Sequence, residues 1–280
     1  MSIGFLYKND KKIFTEKVEN GVPYLEYPLL ADTGLVRHGF STRLGGVSEG
    51  VCSTMNLSFS RGDDEAAVRE NYRRMAKAIG VENDSFVFSM PTNIRVVTSK
   101  DKGKGLATPL DYSDVDGLVT DEPGLCLTTF YADCVPLFFL EPVKKVIGLS
   151  HSGWRGTVGK IGKKTVEVMQ SEYGCHPEDI LAAIGPSICQ TCYEVSEDVI
   201  DAFRQNFHQQ YWEKLFYRKT NGKYQLNLWK ANELILKEAG ILKTHLAVTN
   251  LCTCCNHELL FSHRASNGKR GNLAAFLALK

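Results

Sequence analysis

The 280-residue sequence contains no apolar run near the roughly 20 residues that a bilayer-crossing helix needs, so no helical membrane span is expected. Charge of one sign is lacking too. Lys+Arg 33 stand against Asp+Glu 32, which leaves no broad field for nucleic acid or a membrane surface to answer. No repeat period, low-complexity tract or Pro/Gly/Ser-rich linker divides the chain, and one domain over residues 1–280 is expected. The opening stretch "MSIGFLYKNDKKIF" lacks the apolar core and small-residue cleavage site of a secretory signal, so a cytoplasmic protein is expected. Histidine is scarce at seven residues, too few and too scattered to ligate four coppers.

Cysteine, by contrast, is plentiful. The nine cysteines form an odd, clustered set, which reads as reduced thiols, some metal-binding or reactive, rather than a secreted disulfide framework. The stretch "DDEAAVRENYRRMAKAIG" places Val68, Tyr72, Met75 and Ile79 at helical spacing between an Asp63 or Asp64 N-cap and a Gly80 stop. Short β-rich runs at 117–120, 125–132, 135–140 and 145–151, separated by Asp, Pro and Gly, predict successive strands of a central sheet. Helical spacing resumes after His151 and again at 196–207 and 228–239, with buried strands expected near 180–184, 244–250 and 271–278. Strands and helices mix without strict alternation, so the fold class is α+β, mixed central sheets flanked by helices.

Chemistry concentrates in "DCVPLFFLEPVKKVIGLSHSGWRGT", residues 133–157. If 135–151 folds as a hairpin, Cys134 and His151 become neighbours despite the 17 positions between them. Three readings then stand open. The pair could be two ligands of a zinc site, which ordinarily takes three protein ligands in a catalytic centre. It could be a nucleophile and its base acting on an amide or acyl group, or a buried Cys and a hydrogen-bonded His in the core. "HGFSTRLGGVSEG" sets His38 and Arg43 before a Gly-Gly turn suited to a phosphate or carboxylate. "IGPSICQTCYEV" and "CTCCNHELLFSHRASNGKRG" are loops dense in Cys, His and Arg; read as CxCC with His257 and His263, the second matches no standard C-x-x-C zinc pair.

"HGFSTRLGGVS", "VDGLVTD", "FYADCVPLFF", "HSGWRGTVGKI", "AIGPSICQTCYEV" and "LFSHR" occur in the order found in the YfiH/YlmD family, and the chain resembles that family from about residue 24 to its end. These are the laccase-domain or "multicopper polyphenol oxidase" proteins, regarded largely as purine nucleoside phosphorylases. The resemblance implies a mixed fold with a Zn2+-centred pocket, related in shape to cysteine-dependent toxin deamidases. It implies phosphorolysis of adenosine, inosine and methylthioadenosine with inorganic phosphate, and adenosine deamination as a companion activity. Some members are linked instead to editing of peptidoglycan precursors.

Carried over by motif, Cys134 and His151 resemble two of the family's three zinc ligands. The third, a histidine of a Gln-x-His segment, has no counterpart: the chain reads "FVFSMPTNIRVVTSKDKGKG" there, and an ungapped match puts Met90 near the ligand position. A thioether suits Cu(I) better than Zn2+, so weak or absent zinc binding in the pocket is expected unless His38 or His263 swings in. Arg43 and Arg155 are the expected phosphate holders, with His38 and Arg264 as further binding candidates. Two alternatives accompany this reading: a metal-independent Cys/His amidase using the same pair on peptidoglycan precursors, and a catalytically silent nucleoside-binding homologue.

Overall fold

Alternate side chains of the Val135–Glu141 strand, buried along its whole length, enter two different cores: Val135, Leu137 and Phe139 join one, Phe138 and Leu140 the other. The C-terminal strand Leu273–Leu279 behaves likewise, with Leu273, Ala275 and Leu277 on one face and Ala274, Phe276 and Ala278 on the opposite one. Period-two alternation between apolar faces is what a strand covered on both sides requires. The computed structural model describes residues 3–90 and 92–280, and in it these strands belong to two six-stranded sheets stacked face to face.

The first sheet runs in the order Thr15–Glu19, Val22–Glu26, Val36–Ser41, Leu273–Leu279, Cys126–Tyr131, Phe86–Phe88. The second runs Leu246–Val248, Leu181–Ile184, Val135–Glu141, Val146–Ser152, Asp114–Thr120, Thr92–Val96. Phe40, Leu127 and Leu277 of the first meet Phe138, Ile147 and Leu149 of the second in the inter-sheet core. Helix Glu65–Ile79 covers the outer face of the first sheet through Val68, Tyr72 and Met75. Each such side chain contributes about 1.5–3 kcal/mol of burial. Asp64 caps that helix by accepting from Ala66 N–H, and Gly80 ends it in the left-handed conformation, as the sequence predicts. Helices Ile161–Tyr173, Glu197–Asn206 and Leu228–Glu238 cover the second sheet. The result is an α+β architecture of helix, sheet, sheet, helix. A three-stranded sheet of Glu194–Val195, Tyr224–Leu226 and Phe216–Arg218 lies beside it.

The expectation that the four successive runs lie together in one sheet is corrected. Cys126–Tyr131 pairs antiparallel with the C-terminal strand, Leu273 opposite Tyr131, and so belongs to the first sheet, while the next two strands build the second. Sheet membership is decided by a partner about 145 residues away, which local pattern does not encode. The chain crosses between sheets at Ala132–Cys134, with Asp133 at φ 89°. The helix after His151 is also interrupted, into Trp154–Val158 and Ile161–Tyr173, where Gly159 and a left-handed Lys160 break the ladder. Among the described residues, no helix is long and apolar enough to cross a membrane.

Candidate active site

The expected hairpin forms, with Pro136 opposite His151 and Val135 opposite Ser152. Cys134, one residue before the first strand, therefore lies beside the end of the second, with its sulfur next to the His151 imidazole. Gly153 makes room for this, since a Cβ there would stand 3.2 Å from Cys134 Sγ. A buried polar network fixes the turn: Ser152 Oγ donates to Asn232 Oδ1 (2.9 Å), Asn232 Nδ2 to Thr157 Oγ1 (3.2 Å), and Thr157 N–H to the Gly153 carbonyl (2.8 Å).

A third residue completes the constellation. Asp116 Oδ1 lies 2.9 Å from His151 Nδ1, projected from the Asp114–Thr120 strand that pairs with the His151 strand. Burial disfavours a charged ring, but the interactions with Cys134 and Asp116 outweigh it, and the pKa of His151 is pushed up to about 10. The surroundings thus favour the protonated ring, held between a sulfur and a carboxylate.

His151 and Asp116 open on a cavity of about 520 Å3 with Phe59, Phe88, Leu110 and Phe130 in its walls. Its size lies within the roughly 300–1,000 Å3 of small-molecule sites. Met90 lines the same cavity, and its carbonyl accepts from Val115 N–H, next to Asp116. Cys134 and His151 offer a thiolate and an imidazole, Asp116 is turned to the far nitrogen of the same imidazole, and Met90 offers a thioether. That set falls short of the three protein ligands of a catalytic zinc. Among the described residues, the one group of three or more Cys, His, Asp or Glu with converging ligand atoms lies elsewhere. The pocket residues do not fit the zinc centre that the resemblance implies.

His38 and Arg43 are placed in the scaffold, not on this cavity. His38 is 1% exposed, accepts at Nε2 from Tyr27 N–H (2.8 Å) and stacks on the Tyr27 ring; burial pushes its pKa down to about 4. It is a core residue and does not swing in as a ligand. Arg43 donates to the Ser53 carbonyl through Nε and Nη2 (3.0 and 2.9 Å) and to the His257 carbonyl through Nη1 (2.8 Å), above the Phe261 ring. Its donors are used by the protein. Arg155 is exposed and stacks on Trp154 at 4.2 Å from the ring centroid. Arg264 donates to the Cys192 and Glu194 carbonyls (3.0 and 2.9 Å), and its backbone N–H to Asp133 Oδ2 (2.7 Å), beside Cys134. His263 is exposed and stands 3.5 Å from Arg270.

Sequence reasoning passed over two arginines near the cavity. Arg61 lines it, exposed, and Arg270 bonds Asn272, another lining residue, while its Nε is buried without a partner. Burial first and the nearby Arg61 charge second lower the Arg270 pKa, only partly offset by Asp133. It also passed over Asp116, although the acid stands inside the quoted "VDGLVTD". The cysteine loops were misread. Cys189–Cys192 and Cys252–Cys255 are two C-x-x-C pairs, "CQTC" and "CTCC", and all four sulfurs lie within 4.8 Å of one another, a group that could hold a metal.

The family model described as multi-copper polyphenol oxidoreductase laccase matches residues 37–280. The chain belongs to this family. Among its relatives are purine nucleoside phosphorylase YlmD of Geobacillus stearothermophilus, 38% identical over 85% of this chain and 88% of that protein, and a purine nucleoside phosphorylase of Deinococcus radiodurans, 37% identical over 92% and 94%. The solved structure of the Bacillus licheniformis hypothetical protein YfiH superposes with a TM-score of 0.88 at 35% identity, covering 95% of this chain and 99% of that one. YlmD from Geobacillus stearothermophilus superposes with a TM-score of 0.87 at 34% identity, over 96% and 99%. The laccase-like family therefore shares the two-sheet α+β fold described above.

Proposed function

We propose that this laccase-like family member is a purine nucleoside phosphorylase, cleaving adenosine, inosine and methylthioadenosine with inorganic phosphate. The observation that carries the reading is His151, braced by Asp116 and opening on an aromatic-walled cavity, with Arg61 and Arg270 near its rim. The names of the YlmD and Deinococcus relatives support the same class. Phosphorolysis needs those parts. Arg61 and Arg270 hold phosphate by charge-assisted hydrogen bonds, with Arg155 as the expected contributor from the Trp154 turn. A phosphate oxygen attacks C1′ of the ribose, the C1′–N9 bond breaks, and its electron pair passes to the purine. His151 Nε2 donates the proton that neutralises the departing base, while Asp116 holds Nδ1 and the ring plane. The products are free base and ribose 1-phosphate.

Adenosine deamination is the activity a pocket zinc would serve, by lowering the pKa of a bound water. Because the donor set does not fit that ion, deamination should be the weaker activity. The deciding experiment incubates each nucleoside with and without phosphate and follows free base and ribose 1-phosphate. Phosphate-dependent base release supports the reading; base release that ignores phosphate, or none, overturns it.

One observation favours a second reading. Cys134, His151 and Asp116 stand in the order nucleophile, base, orienting carboxylate, which an amidase uses without metal. Peptidoglycan-precursor amides are the substrates to try. Hydrolysis that survives chelators and is abolished by alkylation of Cys134 would favour it.

A further inference from the structure

The second cluster lies apart from the pocket. Cys189 and Cys192 follow the Leu181–Ile184 strand, and Cys252 and Cys255 follow Leu246–Val248, its parallel neighbour in the second sheet. Pairing continues past the strand ends as a bridge between Ser187 and Cys252. Two adjacent parallel strands thus each deliver a C-x-x-C turn to the same end of the sheet. Their four sulfurs, all within 4.8 Å of one another, approach the ~3.8 Å edge of a tetrahedron with Zn–S bonds of ~2.3 Å. Cys192 and Cys255 already stand 3.5 Å apart.

We propose that Cys189, Cys192, Cys252 and Cys255 bind one zinc ion as a closed tetrathiolate, a structural centre distinct from the Cys134–His151 pocket. The surroundings suit it. Backbone N–H groups of Cys189 and Cys255 point at Cys252 Sγ (3.2 and 3.4 Å), the kind of donor that spreads thiolate charge. A tetrathiolate zinc carries two net negative charges, and the Lys8 ammonium beside the cluster offsets part of it. Lys8 is kept there by its backbone N–H, which donates to the Asn250 carbonyl (2.8 Å). On binding, four S–H bonds give up their protons to solvent and four Zn–S bonds form, with no change of oxidation state.

The centre would clamp the two loops that hold Asp133. From the first loop, Ile188 N–H donates to the Asp133 carbonyl (3.0 Å). From the second, Thr253 Oγ1 and Arg264 N–H donate to its carboxylate (both 2.7 Å). Arg264 then ties the loops together through the Cys192 and Glu194 carbonyls. Asp133 is held at φ 89° by these contacts, and the next residue is Cys134. The zinc thereby acts as a positioning element for the pocket cysteine.

The test measures zinc per chain by elemental analysis in the full-length protein, in Cys134→Ala and in the double variant Cys192→Ser/Cys255→Ser. The expected result is about one zinc in the first two and close to none in the third. Because the double variant can fail to fold, the unaltered chain is also produced in cobalt-supplemented medium, where a tetrathiolate gives intense sulfur-to-cobalt charge transfer and tetrahedral d–d bands. Peptide mapping by mass spectrometry then compares Cys134 alkylation before and after chelation, and faster alkylation is expected once the metal leaves. Loss of the metal in Cys134→Ala, disulfides within the four cysteines, or iron in place of zinc would each overturn the proposal. None of these outcomes depends on nucleoside turnover.

Discussion

Replacing Asp116 by Asn isolates what the carboxylate does for His151. Asn keeps the shape and can still accept from Nδ1–H at the 2.9 Å contact, so the change removes charge and little else. An opposite charge within hydrogen-bond distance shifts a pKa by about 1–3 units, and Asn removes that charge while keeping the hydrogen bond, so a fall of about one unit is the lower bound. Loss of the longer-range attraction adds to this, because the carboxylate is buried at 8% exposure. His151 should fall from about 10 toward about 8–9. A raised folded-state pKa gives stability that is fully present below the ordinary value of 6.5 and is lost as pH rises through about 10. In Asp116→Asn the contribution should be smaller and should be gone at a lower pH. The assay is the alkaline limb of phosphate-dependent base release, paired with the His151 ring-proton titration by NMR. Both should move down together. A folded Asp116→Asn whose limb and titration stay in place would refute the account of the imidazolium.

Met90→His should raise metal content from one zinc per chain to two and increase adenosine deamination more than base release, read by elemental analysis and by inosine formation. Arg61→Ala and Arg270→Ala should each raise the KM for phosphate about ten- to hundredfold, the equivalent of losing one charged hydrogen bond, with a smaller change in nucleoside KM. Arg43→Ala should leave the phosphate KM unchanged and instead lower thermal stability, because its donors hold the Ser53 and His257 carbonyls. Leu277→Ala, at 0% exposure between the two sheets, should destabilise by about 2–5 kcal/mol in denaturant unfolding without altering pocket chemistry.

What local pattern encodes was legible. The Glu65–Ile79 helix could be read from its Asp64 cap, its apolar stripe and its Gly80 stop because all three act within a few residues. The Cys134–His151 neighbourhood could be read because one hairpin delivers both. What failed was long-range. The split into two sheets rests on Cys126–Tyr131 meeting Leu273–Leu279, and the buried fate of His38 on its backbone partner Tyr27. Asp116 was quoted inside a motif, yet an acid on a strand announces nothing until the partner strand turns a histidine toward it. The cysteine cluster was missed differently, since Cys254 obscured the Cys252–Cys255 spacing and drew attention to His257 and His263. The paired loop 63 residues upstream in sequence held the other half.

The pocket does not depend on a histidine at the position where the resemblance implies a third ligand, and the hairpin explains why. Cys134 and His151 are brought together by register, Pro136 opposite His151, in strands buried at nearly every position. Asp116 arrives on the next strand of the same sheet, with Gly117 opposite Ser150. None of these placements asks for a metal. A histidine braced this way keeps its ring plane, so in the proposed phosphorolysis base protonation should not depend on the side chain at position 90, whereas a metal-dependent deamination should. On the proposed reading, phosphorolysis rests on the sheet-borne His151 and Asp116 and deamination on a pocket metal, so the side chain at position 90 should separate the two.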